Sequence, residues 1–123
     1  MGYRVLSSNL FDLLDAITNW IEEGGYCRLL ACMNPHSYIV SLEDPEFSRA
    51  LHGSDWLVPD GTGILIASRI LGGRIKQRIT GSDIWHGIHN RLNKIGAKVF
   101  FLGSSVPANK RYDSGKFNFS LTL

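Results

Sequence analysis

The 123-residue chain is poor in the features that define several protein classes. It has only two cysteines, Cys27 and Cys32, too few for a disulfide framework. They stand five apart on a stretch that reads as a strand, so they face opposite sides and are not expected to bridge. No apolar run approaches the ~18 residues of a membrane-spanning helix. Met1 to Leu6 lacks the apolar core of a secretory signal, so a cytosolic location is expected. The formal net charge is only +2, which gives no reason to expect a nucleic-acid partner. No Gly-x-Gly-x-x-Gly follows the first strand candidate, and no Gly-Lys-Ser/Thr loop is present. A generic nucleotide-binding domain is set aside on that ground. Repeats and low-complexity segments are missing as well.

The composition that remains, 44% hydrophobic and 20% charged, is that of one ordinary globular domain. Its pattern alternates helices and strands. Tyr3 to Leu6 is a short strand candidate. Asn9 or a preceding serine can cap a helix with Asp12 in its first turn. In that helix Leu10, Leu13, Leu14, Ile17, Trp20 and Ile21 recur at helical spacing, and Gly24-Gly25 ends it. Tyr26 to Met33 reads as a buried strand. Asn34-Pro35 then opens a helix, and Asp44-Pro45-Glu46 opens another that reaches Leu51. Asp55 to Val58 is the next strand. Thr62 to Leu71 is apolar nearly all round and is expected to be a mostly buried helix. Thr80 and Asp83 have capping-box spacing before a helix with Ile84, Ile88, Leu92 and Ile95 on one face, stopped by Gly96. Ala97 to Leu102 is the last strand candidate. Together these predict an α/β domain with a parallel sheet.

The residues that could carry chemistry fall at the carboxyl ends of the strand candidates, where open α/β sheets bind ligands. Pro59-Asp60-Gly61-Thr62-Gly63 is a strand end, a carboxylate, a glycine turn and a helix start. The glycines allow close approach to a ligand, and the helix start favours a phosphate. A carboxylate there could accept a proton from an incoming hydroxyl. Read alone, Asp60-Gly61 is more simply an ordinary turn pair. Asn34 is a helix cap that can also touch a ligand only if its amide keeps a free face. Arg74, Lys76 and Arg78 are either solvated surface or a phosphate-facing cluster. Gly103-Ser104-Ser105 is one more small-residue turn suited to phosphate or sugar contact. His86 and His89 lack a further ligand at metal-site spacing and are taken as surface residues, so no metal is expected.

Asn34-Pro35-His36, Asp44-Pro45-Glu46-Phe47, Val58-Pro59-Asp60-Gly61-Thr62-Gly63, Arg78-Ile79-Thr80-Gly81-Ser82-Asp83 and Phe100-Phe101-Leu102-Gly103 follow one another in an order and spacing that resemble the WecG/TagA/CpsF glycosyltransferases. The resemblance implies a Rossmann-like alternating parallel sheet with flanking helices, incomplete at the carboxyl end. It places residues 1–107 in the amino-terminal part of the family domain and leaves 108–123 as an irregular, non-matching tail, as a truncation or frameshift would. It also implies inverting, metal- and cofactor-free transfer of an N-acetylmannosamine-type or related sugar. The donor would be a UDP-sugar and the acceptor a polyprenyl-diphosphate-linked saccharide, in teichoic acid, enterobacterial common antigen or exopolysaccharide synthesis. Asp60 would be the general base. Asn34 and Arg78 would line the active-site and nucleotide pocket, with Gly61, Gly63, Cys32 and Gly103 in substrate contact. Cys32 stands where the family commonly has threonine, and a thiol is a poor hydrogen-bond donor. Carboxy-terminal arginines of the family imply peripheral contact with the inner face of the cell membrane. An uncompleted sheet edge would favour self-association, and a catalytically silent remnant or binding module is the alternative to an enzyme.

Overall fold

A computed structural model describes residues 2–100. Within them the order is α1 (Leu10–Glu23), β1 (Leu30–Met33), α2 (Pro35–Glu43), α3 (Pro45–His52), β2 (Trp56–Pro59), α4 (Thr62–Ile70) and α5 (Gly81–Ile95). The class is α/β, as the alternation predicts.

β1 and β2 pair in parallel, with Leu30 opposite Trp56 and Met33 opposite Pro59. The far edge of β2 is also engaged. Leu6 N–H donates to the Leu57 carbonyl and Ile79 N–H to the Pro59 carbonyl, both at 2.8 Å. Helices cover both faces. On one side α1 and α5 bury Leu13, Leu14, Ile84, Ile88 and Leu92 against Val58 and Ile79. On the other, Leu51 of α3 and Ile64 of α4 pack on Met33 and Leu57. Alternate strand residues feed opposite layers, which is why Leu57 and Val58 belong to different clusters.

The helix signals are realised closely. Asn9 caps α1, and Gly24 ends it at φ 67°. Asn34 caps α2 and Asp44 caps α3, each followed by proline in the first turn. Thr80 and Asp83 form the capping box of α5, and Gly96 closes it in the left-handed conformation. Ile84, Ile88 and Leu92 are buried as the spacing requires, while Ile95 emerges at the helix end.

Four expectations need correction. The first long strand is short: Tyr26 to Leu29 lie outside it, and Tyr26 is 70% exposed. A strand persists only where a neighbour can pair, and β2 begins at Trp56, opposite Leu30. Upstream, Arg28 instead lies over the rings of Trp20, Tyr26 and Trp56. Cys27 is therefore an exposed loop residue, and both cysteines are free. Second, β2 runs one residue later than expected. Asp55 precedes it, and its carboxylate accepts the Leu29 N–H at 2.9 Å. Third, neither Tyr3–Leu6 nor residues 97–100 form a regular strand; the first bonds β2 through the Leu6 N–H and packs Val5 and Leu6 on its two faces. Leu102, Gly103 and the tail lie outside the described residues. Fourth, α4 is not mostly buried. Only Ile64 and Ser68 face inward, while Ile66 and Ile70 are 55% and 78% exposed. A helix laid flat on one sheet buries one stripe, however apolar its other side.

Candidate active site

Parallel pairing brings two motifs to one edge. The residues after Met33 and Pro59 are Asn34 and Asp60, so they leave neighbouring strands side by side. Asp60 N–H donates to the Met33 carbonyl at 2.8 Å, extending the pairing one step past the strands. Gly61 then turns at φ 91°, a conformation that favours glycine. A Cβ on Gly63 would lie 2.6 Å from Cγ of Pro35, so the glycine turn rests directly on the Pro35 ring.

Asn34 has one committed face. Its Oδ1 accepts from Ser37 N–H at 2.8 Å, and Ser37 Oγ accepts the Asn34 N–H at 2.8 Å. Its Nδ2 has no hydrogen-bond partner among the described residues. Capping and ligand contact are thus compatible, because they use different atoms of the amide. The Asp60 carboxylate, half-buried, likewise accepts no hydrogen bond from the described residues.

The Ile79–Pro59 bond delivers the third motif. Arg78 and Thr80 flank Ile79 on the far edge of β2, level with Asp60. The Arg78 side chain is exposed and its charge is felt by Asp83. Asp83 is held below the usual carboxylate range, first by the Thr80 backbone N–H and then by the Thr80 side chain. Burial opposes the shift slightly, and Arg78 and His86 add to it. A depressed carboxyl stabilises the fold above its unfolded pKa, and that contribution is lost as pH falls through the folded value. Acid should therefore loosen the start of α5. Asp83→Asn should flatten the acid limb of a stability-versus-pH curve, followed by circular dichroism; an unchanged limb would show that the capping carboxylate does not titrate with folding.

Three helices, α2, α4 and α5, begin at this edge. Each presents unpaired N–H groups and the positive end of its dipole there. For α2 and α5 a side chain caps the start, whereas α4 begins at Gly61 with no side-chain cap. Cys32 lies beneath this array on the α5 side. Burial pushes its thiol up, the Asp60 charge pushes it further, and the Gly81 N–H opposes both. The thiol is thus a near neighbour of Asp60 and of the first residue of α5. It should stay protonated at neutral pH. Iodoacetamide should label exposed Cys27 well before Cys32, with the difference vanishing in denaturant; peptide mass spectrometry reads both rates. Equal rates in the native protein would show that Cys32 is not shielded by burial as described.

Asn34, Cys32, Asp60, Gly61 and Gly63 therefore converge, with Arg78 alongside them. Gly103 is outside the described residues. His86 is exposed, whereas His89 is half-buried and meets the Trp85 ring edge to face. Two contributors are not evident in the sequence. Pro35 serves as the platform under the glycine turn, and the Gly81 N–H tempers the upward push on the Cys32 thiol. Only the glycine of Arg-x-x-Gly-x-Asp hinted at the second. A groove of about 530 Å³, lined by Tyr3, Val5, Met33, Ile64 and Arg74 among others, opens between the amino-terminal segment and α4 and does not include Asp60.

A model of the glycosyl transferase WecG/TagA/CpsF family matches residues 1–113. The chain belongs to that family. Two relatives carry the name N-acetylglucosaminyldiphosphoundecaprenol N-acetyl-beta-D-mannosaminyltransferase. The one from Bacillus subtilis is 24% identical over 99 residues, which is 80% of this chain and 39% of the relative. The one from Bacillus spizizenii is 26% identical over 72 residues, 58% of this chain and 28% of the relative. The chain thus spans well under half the length of the relatives it matches. In this WecG/TagA/CpsF member the Pro-Asp-Gly-x-Gly and Arg-x-x-Gly-x-Asp motifs stand at one sheet edge.

Proposed function

We propose that the chain takes part in inverting transfer of an N-acetylmannosamine-type sugar from a UDP-sugar to a polyprenyl-diphosphate-linked saccharide. The observation that carries this reading is that Asn34 and Asp60 leave neighbouring parallel strands side by side, at the edge where three helices begin. In that reading Asp60 takes the proton of the acceptor hydroxyl as the oxygen attacks the anomeric carbon, and UDP leaves from the opposite face. The Asn34 Nδ2 donates to a sugar or acceptor oxygen. Arg78, with the N–H groups of the uncapped α4 start, offsets the charge of the departing diphosphate. Gly61 and Gly63 let the backbone come close enough to do so. Cys32 contributes shape under the site and little hydrogen bonding. The activity that both relatives are named for, N-acetylmannosaminyl transfer to N-acetylglucosaminyldiphosphoundecaprenol, supports the acceptor class. Work on such an acceptor belongs at the inner face of the cell membrane and serves cell-surface polysaccharide synthesis. The test is an initial-rate assay of the 123-residue chain with UDP-N-acetylmannosamine and a short-chain polyprenyl-diphosphate-GlcNAc acceptor.

A second reading, a catalytically silent binding module, is favoured by one observation: only two strands pair among the described residues. Calorimetry with UDP separates the two. Binding without transfer selects the module, and transfer selects the enzyme. Neither binding nor transfer would leave the family site without a function in this chain.

A further inference from the structure

Residues 61–82 contain no aspartate or glutamate and four cations, Arg69, Arg74, Lys76 and Arg78. The chain's net +2 is therefore a +4 block set against a net −2 everywhere else. All four cations are exposed, and none forms an ion pair among the described residues. The same block carries the fully turned-out side of α4. Ile66 and Ile70 lie one helical turn apart, opposite the buried Ile64 and Ser68, and are 55% and 78% exposed. Leu71, just past the helix, is 66% exposed, and Arg69 stands on the same face as the two isoleucines. A soluble surface seldom gathers bulky aliphatic side chains at such exposure. Joined to unpaired cations and lacking acids, the combination matches a helix that lies in a bilayer interface. No helix of the described residues is long and apolar enough to cross a membrane.

We infer that the outward face of α4, with the basic segment after it, docks on an anionic phospholipid surface. The aliphatic side chains enter the headgroup–acyl boundary, and Arg69, Arg74 and Lys76 face lipid phosphates. This surface is distinct from the carboxy-terminal arginines that family resemblance associates with membrane contact. It also deepens the proposed function, on which its biological purpose rests. α4 starts two residues after Asp60, so a bilayer lying along it would bring the catalytic edge to a lipid-linked acceptor.

The experiment is co-sedimentation of the 123-residue chain with phosphatidylcholine vesicles, with and without phosphatidylglycerol, in the absence of any sugar substrate. Partition is expected only onto the anionic vesicles and should fall as salt is raised. Ile66→Gln with Ile70→Gln should weaken it about tenfold. Arg74→Gln with Lys76→Gln should weaken it roughly twentyfold, whereas Arg74→Lys should not. Asp60→Asn should partition like the parent chain, so a failure of the proposed catalysis would leave this result standing. These four side chains are solvent-facing, and unchanged helical circular dichroism would show that the variants fold. The inference is overturned by equal partition onto both vesicle types, by partition that ignores both double substitutions, or by no partition at all. It is also overturned if light scattering finds a dimer that the isoleucine substitutions dissociate while vesicles capture nothing, since the face would then receive a second copy of the chain.

Discussion

Asp60→Asn is expected to lower sugar transfer by about 10²–10⁴-fold, the range over which a positioned general base contributes. Asparagine keeps the size of the side chain and the tendency to sit before a glycine turn. The backbone bond from residue 60 to the Met33 carbonyl does not depend on the side chain, so the edge geometry should persist. What disappears is a group able to accept a proton. The loss should therefore fall on kcat, with KM for donor and acceptor nearly unchanged. Initial rates at saturating UDP-N-acetylmannosamine measure it. Wild-type turnover in the variant would remove Asp60 from the chemistry and, with it, the central assignment of the site.

Ile79→Ala is expected to cost roughly 2–5 kcal/mol of stability, the usual range for truncating a fully buried aliphatic side chain. Ile79 has no solvent exposure and packs with Leu13, Leu14 and Val58 in the layer shared by α1 and α5. Residues 73–79 have no regular structure of their own. Ile79 is their one fully buried side chain and its N–H bonds the Pro59 carbonyl, while Ile75 packs only partly buried against the Met33 and Leu57 layer. Urea unfolding should show the midpoint falling by about 1–3 M. Ile79→Val leaves most of the contact in place and should cost only about 0.5–1.5 kcal/mol. Should both variants unfold alike, the residue is not the anchor described. Because Arg78 directly precedes the anchor, the alanine variant should also raise KM for the UDP-sugar before kcat suffers.

Much of the helical framework was legible in the residues themselves. Asn34, Asp44 and Thr80 cap the helices that their spacing predicts, and Asn9, one of three candidates with Ser7 and Ser8, caps α1, because capping is a contact between residues two or three apart and needs no tertiary partner. The strands were less legible. A strand's length depends on its neighbour, and that neighbour comes from a distant part of the chain. Tyr26 to Arg28 have strand-like residues but no ladder partner among the described residues, and Arg28 among three aromatic rings is a more favourable arrangement there. The burial of α4 was misjudged for a related reason. Its composition is apolar all round, and composition does not reveal how many layers cover a helix.

By itself the sequence determined the α/β class, the positions of the caps and the two motifs that mark the family, all of which depend on local spacing. Tertiary structure alone decided that Asn34 and Asp60 stand side by side and that Pro35 supports the glycine turn. It alone showed the half-buried Cys32 thiol within the field of the Asp60 charge and the isoleucines of α4 turned to solvent. These are relations between segments 25 or more residues apart or between faces of one helix. Parallel strand register and layer packing set them, and neither is written in any local window.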